Sequence, residues 1–323
     1  MSRKLFSVGA VATLIGSTAL ADVPGVATDI APVHSLVARV MEGLGTPELV
    51  IAQGASPHEY SLRPSEAGAL QEADLVFWIG EDLTPWMEGA IDTLTEDAAV
   101  IALLDAEGAT RLAFRESALF EAHDHGDEHE DHDDHEHEHD DHAHEEDHDG
   151  HAHGEHDPHA WLSPENAAVW LNVIAAALSA ADPDNAGGYY ANAAAGIEEL
   201  TALSDEVSAT LDPVRGESFV VFHDAYQYFE TAFDFPASGA ISLSDASDPS
   251  PARIAEIQGR IADEGIACVL SEPQFNQNLV ATVMDGTEAR TAVLDPLGAD
   301  IELGPEFYPQ LLRNLANSLA ECL

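Results

Sequence analysis

Basic residues are scarce in this chain. Eleven Lys and Arg stand against 60 Asp and Glu in 323 residues, a formal net charge of −49. Nucleic acids and anionic membranes are held through clustered Lys and Arg, so this balance argues against both as partners and predicts a field that draws cations. Cysteine is nearly missing: only Cys268 and Cys322 occur, neither with a second Cys or a His nearby, which argues against a thiolate metal site. Beyond residue 20 no uncharged apolar run approaches the length of a membrane span. There is no H-E-x-x-H, no G-x-S-x-G and no long internal repeat, so the usual hydrolytic signatures are absent.

The N-terminus reads as an export signal. Arg3 and Lys4 precede an apolar run from Leu5 to Leu20, and Ala19-Leu20-Ala21 supplies a small-x-small cleavage site that leaves Asp22 as the mature terminus. The alternative is a retained N-terminal anchor. For an exported chain, an even and sparse cysteine count fits a single disulfide between Cys268 and Cys322, worth roughly 4 kcal/mol by loop entropy.

What is abundant is histidine, in one place. Glu121 to Asp157 contains 13 of the 17 histidines: His123, His125, His129, His132, His135, His137, His139, His142, His144, His148, His151, His153 and His156. They are interleaved with 18 Asp and Glu and with no Lys or Arg, so the tract accounts for −18 of the net charge and leaves −31 elsewhere. With almost no apolar residues it has nothing with which to build a core, and it is predicted to stay solvated and disordered. An acidic solubilising segment would not need an imidazole at every third position. Imidazole and carboxylate together suit divalent metal ions, in several weak sites.

Elsewhere short apolar runs alternate with helical segments. Strands are predicted at 49–52, 75–79, 100–103, 219–223, 266–271 and 291–294, apolar throughout as for parallel strands covered on both faces. Ser65-Glu66, Ser163-Pro164-Glu165 and Ser250-Pro251 open helices, and Asp182-Pro183 ends the second. A longer helical pattern through Tyr189, Ala193, Ile197, Leu200 and Leu203 is closed by Pro213 and Gly216. The expected organisation is a signal peptide over 1–21, an α/β lobe over 22–184 carrying the 121–157 insertion, a connecting helix over 185–212, and a second α/β lobe over 213–323.

Three of the four remaining histidines sit at element boundaries, where a strand-to-helix loop presents a side chain to a cleft. His58 follows the run ending near Ala52, His159 precedes the helix start at Ser163, and His223 ends Phe219-Val220-Val221-Phe222-His223. Asp295 has the same address after Thr291-Ala292-Val293-Leu294. Three neutral imidazoles and one carboxylate form a tetrahedral N/O set suited to zinc, whereas manganese would take more oxygen ligands. His34 begins a helix-like segment and is expected at the cleft mouth or in no metal role. Trp161, Trp170, Tyr226 and Tyr228 read as packing residues, with Trp161 shielding His159.

The strings SPHEYSLRPS, DPHAWLSPEN, VFHDAYQYFE and VLDPLG, in this order, resemble those of the zinc-binding proteins of bacterial ABC importers, the ZnuA type of solute-binding protein. The resemblance runs from about Thr28 to the C-terminus, and the His/acid tract falls where that family carries a charged loop. It implies two pseudo-symmetric α/β lobes with parallel sheets bridged by a rigid helix, and zinc between them on His58, His159 and His223, with Asp295 or water fourth. It also implies a Cys268–Cys322 disulfide. The expected role is capture of Zn2+ in the periplasm by a single copy of the chain, with delivery to a membrane permease. A zinc buffer or chaperone without a transporter is a second reading. A zinc hydrolase is the third, and Glu59 beside His58 is its only obvious base.

Overall fold

The computed structural model describes residues 23–115, 156–242 and 249–323, apart from Asn276 and the side chain of Gln277. The expected signal peptide and the tract up to Glu155 lie outside the described residues.

Each half is built on a four-stranded, fully parallel sheet. The first contains β1 (Val26–Thr28), β2 (Glu48–Leu49), β3 (Leu75–Trp78) and β4 (Ala99–Ala102) in the order β2-β1-β3-β4. The second contains β5 (Phe219–His223), β6 (Gly239–Ser242), β7 (Cys268–Ser271) and β8 (Arg290–Val293) in the order β6-β5-β7-β8. The two orders are the same permutation, which makes the lobes pseudo-symmetric. The first lobe carries α1 (Ala31–Val40), α2 (Pro64–Glu72), α3 (Pro85–Leu94) and α4 (Pro164–Ala181).

Next comes α5 (Ala186–Leu211), then α6 (Gln227–Phe233), α7 (Pro251–Glu264), α8 (Gln277–Met284) and α9 (Phe307–Cys322) in the second lobe. The central strands β3 and β5 are buried at every position, in line with their uninterrupted apolar sequences.

Two strands were not anticipated, and both are internal or paired elements of three or four residues. β1 lies between Gly25 and Asp29, too short to show a period, yet it pairs with both β2 and β3. β6 is Gly-Ala-Ile-Ser, weak in intrinsic strand preference, and forms because it pairs with β5 and is fully buried. β2 is shorter than its apolar run, but the ladder continues, since Val50 N–H and Ile51 N–H donate to the carbonyls of Thr28 and Asp29.

The helix starts follow their caps. Ser163 Oγ accepts from Asn166 N–H at 3.2 Å, and Ser250 Oγ accepts from Arg253 N–H at 3.2 Å, each followed by Pro at the first helical position. Among the described residues no helix is long and apolar enough to cross a membrane.

α5 spans about 39 Å at the usual helical rise and is a rod packed against both lobes. Its buried residues Tyr189, Ala193, Leu200, Leu203, Val207 and Leu211 belong to one continuous core that also takes in α1, α4 and α9. Arg39 of α1 pairs with Glu199, and Arg313 of α9 with Glu206, one on each lobe. These exposed pairs add little beside the apolar burial. The Tyr189 hydroxyl donates to Asp182 Oδ2 at 3.0 Å and fixes the corner between α4 and α5. Cys268 at the start of β7 and Cys322 at the end of α9 form a disulfide with Cα atoms 5.9 Å apart, within the ordinary range.

The β1–α1 corner depends on Asp29. Its fully buried carboxylate accepts from Ile30 N–H and from Ile79 N–H, both at 2.7 Å, and so ties the ends of β1 and β3 to the start of α1. Burial pushes its pKa up to about 7, against those backbone donors. Asp29→Asn keeps the shape but turns an NH2 toward one of the two N–H groups. A loss of about 1–3 kcal/mol is expected by denaturant unfolding; an unchanged midpoint with unchanged slope would show that the corner does not need two acceptors.

Candidate metal centre

The two lobes meet at the carboxyl ends of their sheets, where ligands gather in such folds. His58 lies in the β2–α2 connection. That loop is stapled by Trp86, whose indole N–H donates to Pro57 C=O at 2.7 Å, and by Tyr60, which accepts from Ala52 N–H and donates to Glu66. His159 precedes the 3-10 turn Ala160–Leu162 and α4, and His223 is the last residue of β5. Ligand-capable atoms of these three side chains lie within 4.8 Å of one another. His159 and His223 are almost fully buried, and His58 is half-buried.

The tautomers follow from two buried carboxylates. Asp157 Oδ1 lies 2.7 Å from His159 Nδ1 and also accepts the His159 backbone N–H at 3.0 Å. Glu272 Oε1 lies 2.8 Å from His223 Nδ1 and accepts the His223 backbone N–H at 3.3 Å. Each carboxylate thus accepts a hydrogen bond from Nδ1–H, which leaves the Nε2 lone pair directed into the cleft.

The two Nε2 atoms face each other at 3.3 Å. Two neutral imidazoles in these tautomers oppose lone pairs, an arrangement that a cation between them relieves. Ligands about 2.05 Å from zinc at a tetrahedral angle are themselves about 3.3 Å apart, so the spacing is that of two ligands on one ion. Carboxylate–histidine pairs of this kind fix ring orientation and strengthen the imidazole as a ligand. Burial pushes Asp157 up to about 7, against the His159 backbone N–H and the nearby Arg115, and also raises Glu272, against its bonded partner His223.

Trp161 walls the site as expected. Its ring centroid is 5.3 Å from that of His159, and its indole N–H donates across the lobes to Pro296 C=O at 2.9 Å. Phe275 stands 5.3 Å from His223 on the other side, and Pro57, Pro296 and Leu297 complete an apolar lining. Trp170, Tyr226 and Tyr228 are buried packing residues, and the two tyrosines also place hydrogen bonds: Tyr226 donates to Leu294 C=O and Tyr228 to Asp157 C=O.

Asp295 follows β8 as anticipated but is not part of the histidine group. Its carboxylate accepts from Leu297 N–H at 3.0 Å, Ala299 N–H at 2.6 Å and the Gln274 side chain at 3.1 Å, so it shapes the loop that carries Pro296 and Leu297. His34 is buried in α1 with Nε2 3.1 Å from Pro47 C=O, away from the cleft, and burial lowers its pKa. His156, placed by composition in the solvated tract, belongs to the folded part: it bridges to Ala113, and its Nδ1 lies 3.6 Å from Asp82. Asp157 is buried beside it. The remaining tract histidines, His123 through His153, are outside the described residues.

Comparison with known proteins gives the family. The family described as zinc-uptake complex component A, periplasmic (ZnuA), matches residues 26–322. The chain belongs to this family. Among its ZnuA relatives, the high-affinity zinc uptake system protein of Brucella abortus is 50% identical, over 95% of this chain and 94% of that protein. The counterpart from Paracoccus denitrificans is 46% identical over 97% and 96%. A crystal structure of ZnuA superposes with a TM-score of 0.73 at 22% identity, covering 93% of this chain and 99% of that one. The periplasmic zinc-binding protein TroA from Treponema pallidum gives 0.72 at 18% identity, covering 93% and 98%. At such identities the two structures establish the ZnuA-type fold.

Asp157 and Glu272 were missed in the sequence, although each carried a signal. Asp157 stands two residues before His159, and Glu272 directly follows the strand Cys268–Ser271, the same topological address as His223. Glu272→Ala leaves the His223 ring without its orienting acceptor. Metal affinity is expected to fall about 10–100-fold with stoichiometry unchanged, by competition against a chelator; an affinity within twofold of the parent would remove Glu272 from the site.

Proposed function

We propose that this ZnuA-family protein captures Zn2+ in the periplasm on His58, His159 and His223 and delivers it to the permease of an ABC importer. The observation that carries this reading is the pair of Nε2 atoms, one from each lobe, aimed at a common point 3.3 Å apart by buried carboxylates. His58 supplies the third nitrogen, and water takes the fourth position of a tetrahedral ion. Neutral nitrogen ligands favour zinc over manganese.

Transport in place of catalysis is supported by how the acids are used. Asp157 and Glu272 are engaged in orienting imidazoles, and Asp295 in shaping its loop, so none is placed as a general base beside the ion. Release of residues 1–21 by cleavage after Ala21 fits export, and a single chain supplies all three histidines. The His/acid tract, rooted beside the cleft at His156, acts as a collector that raises the local cation concentration. A segment that loses backbone entropy each time it wraps an ion binds weakly and returns it readily.

Single changes of His58, His159 or His223 to Ala are expected to weaken the tightest zinc step by orders of magnitude while circular dichroism stays unchanged. Full affinity in His223→Ala protein would contradict the assignment. Imidazole binds metal only when neutral, so affinity is expected to fall steeply as pH drops through about 6.5, because three ligands compete with protons together. Isothermal titration between pH 7.5 and 5.5 reads this directly, and a flat profile would exclude a histidine-dominated site.

A further inference from the structure

The two lobes are joined near the metal centre by a second device, at the root of the His/acid tract. Just before and after the tract the chain forms a short antiparallel stem, in which Ala113 pairs with His156 and Asp157 N–H donates to Leu112 C=O at 2.8 Å. The second lobe grips this stem. Tyr228 of α6 donates to Asp157 C=O and accepts from Leu112 N–H, both at 2.9 Å. The Gln227 amide, oriented so that its nitrogen donates, reaches Ala113 C=O at 3.2 Å and Asp157 Oδ2 at 3.1 Å.

Arg115, the last described residue before the tract, completes the grip. Its guanidinium forks onto Glu230 at 2.7 and 3.2 Å and bonds Asp224 Oδ1 at 3.0 Å. Both carboxylates are almost fully buried, and Glu230 is itself anchored by Ala237 N–H at 3.2 Å.

We propose that Arg115 is a positioning residue for the metal centre, one that fixes the spacing of His159 and His223 before the cation arrives. The connection is short on both sides. The stem contains Asp157, which orients His159, and Asp224 directly follows His223 in the chain. A planar guanidinium on two buried carboxylates holds direction as well as distance, which a flexible ammonium does not. Removing it leaves two buried acids uncompensated and lets the stem and the β5 corner relax apart.

The sign of the effect separates positioning from plain electrostatics. A positive charge near the cleft repels Zn2+, so its loss would tighten binding if charge alone mattered. Loss of the preset spacing weakens it. The inference rests on the zinc reading above.

The test uses the full chain, titrated with zinc against a fluorescent chelator to read the tightest step, alongside thermal melting without metal. Arg115→Gln is expected to weaken that step about tenfold or more at unchanged stoichiometry, as losses around metal ligands do. Arg115→Lys should fall between it and the parent, and Glu230→Gln should weaken binding by less. Arg115→Gln protein that binds zinc as tightly as the parent, or more tightly, overturns the proposal even if it melts earlier, because that is the behaviour of a purely structural pair. Should Arg115→Gln fail to fold, unchanged affinity in Arg115→Lys overturns it. A parent chain without a tight zinc step would instead defeat the zinc reading itself.

Discussion

The contact on which the rest of this structure depends is the 3.3 Å approach of two imidazole nitrogens from opposite lobes. Left to themselves, two neutral rings with facing lone pairs would move apart. They are held because each Nδ1 is bonded to a carboxylate buried in its own lobe, and because each backbone N–H is held by the same oxygen. Burying those acids costs free energy, and the same burial raises the pKa of each. A divalent cation held as proposed would offset that cost.

A site assembled from both lobes is only as well defined as the lobe–lobe geometry. α5 fixes one side by packing its apolar stripe into a core shared with α1, α4 and α9. Polar clasps fix the other. Trp161 reaches Pro296, the Gln53 amide reaches Gly298 C=O at 2.8 Å, and Ser35 Oγ donates to Gly304 C=O at 2.7 Å. The first two join loops of the two lobes close to the histidines, and the third ties α1 to the loop before α9. The fold is two sheets on one rod, with the three-histidine group set where the lobes meet.

Much of this could be read from the residues. Uninterrupted apolar runs marked the buried strands β3, β5 and β7, although the same kind of run at β4 and β8 forms largely exposed edge strands. Ser-Pro pairs marked the starts of α4 and α7, and the three histidines singled out at strand–loop boundaries are the ones the structure groups together. What failed to show in the sequence was whatever depends on a distant partner. β1 and β6 exist through their neighbours and carry no periodic signal. Asp295 has the right address, but two backbone N–H groups claim its carboxylate, a competition that composition does not reveal. The reverse holds for His156, which shares the tract's composition yet is held by its bridge to Ala113 and its contact with Asp82.

The central claim is that one zinc ion is held jointly by both lobes, outside the tract. Anomalous diffraction at the zinc edge, from crystals of the full chain loaded with one equivalent, tests it most directly. The account predicts one peak bounded by the Nε2 atoms of His159 and His223 and the ring of His58. A peak that lacks one of these three, or density only along the tract, would contradict it.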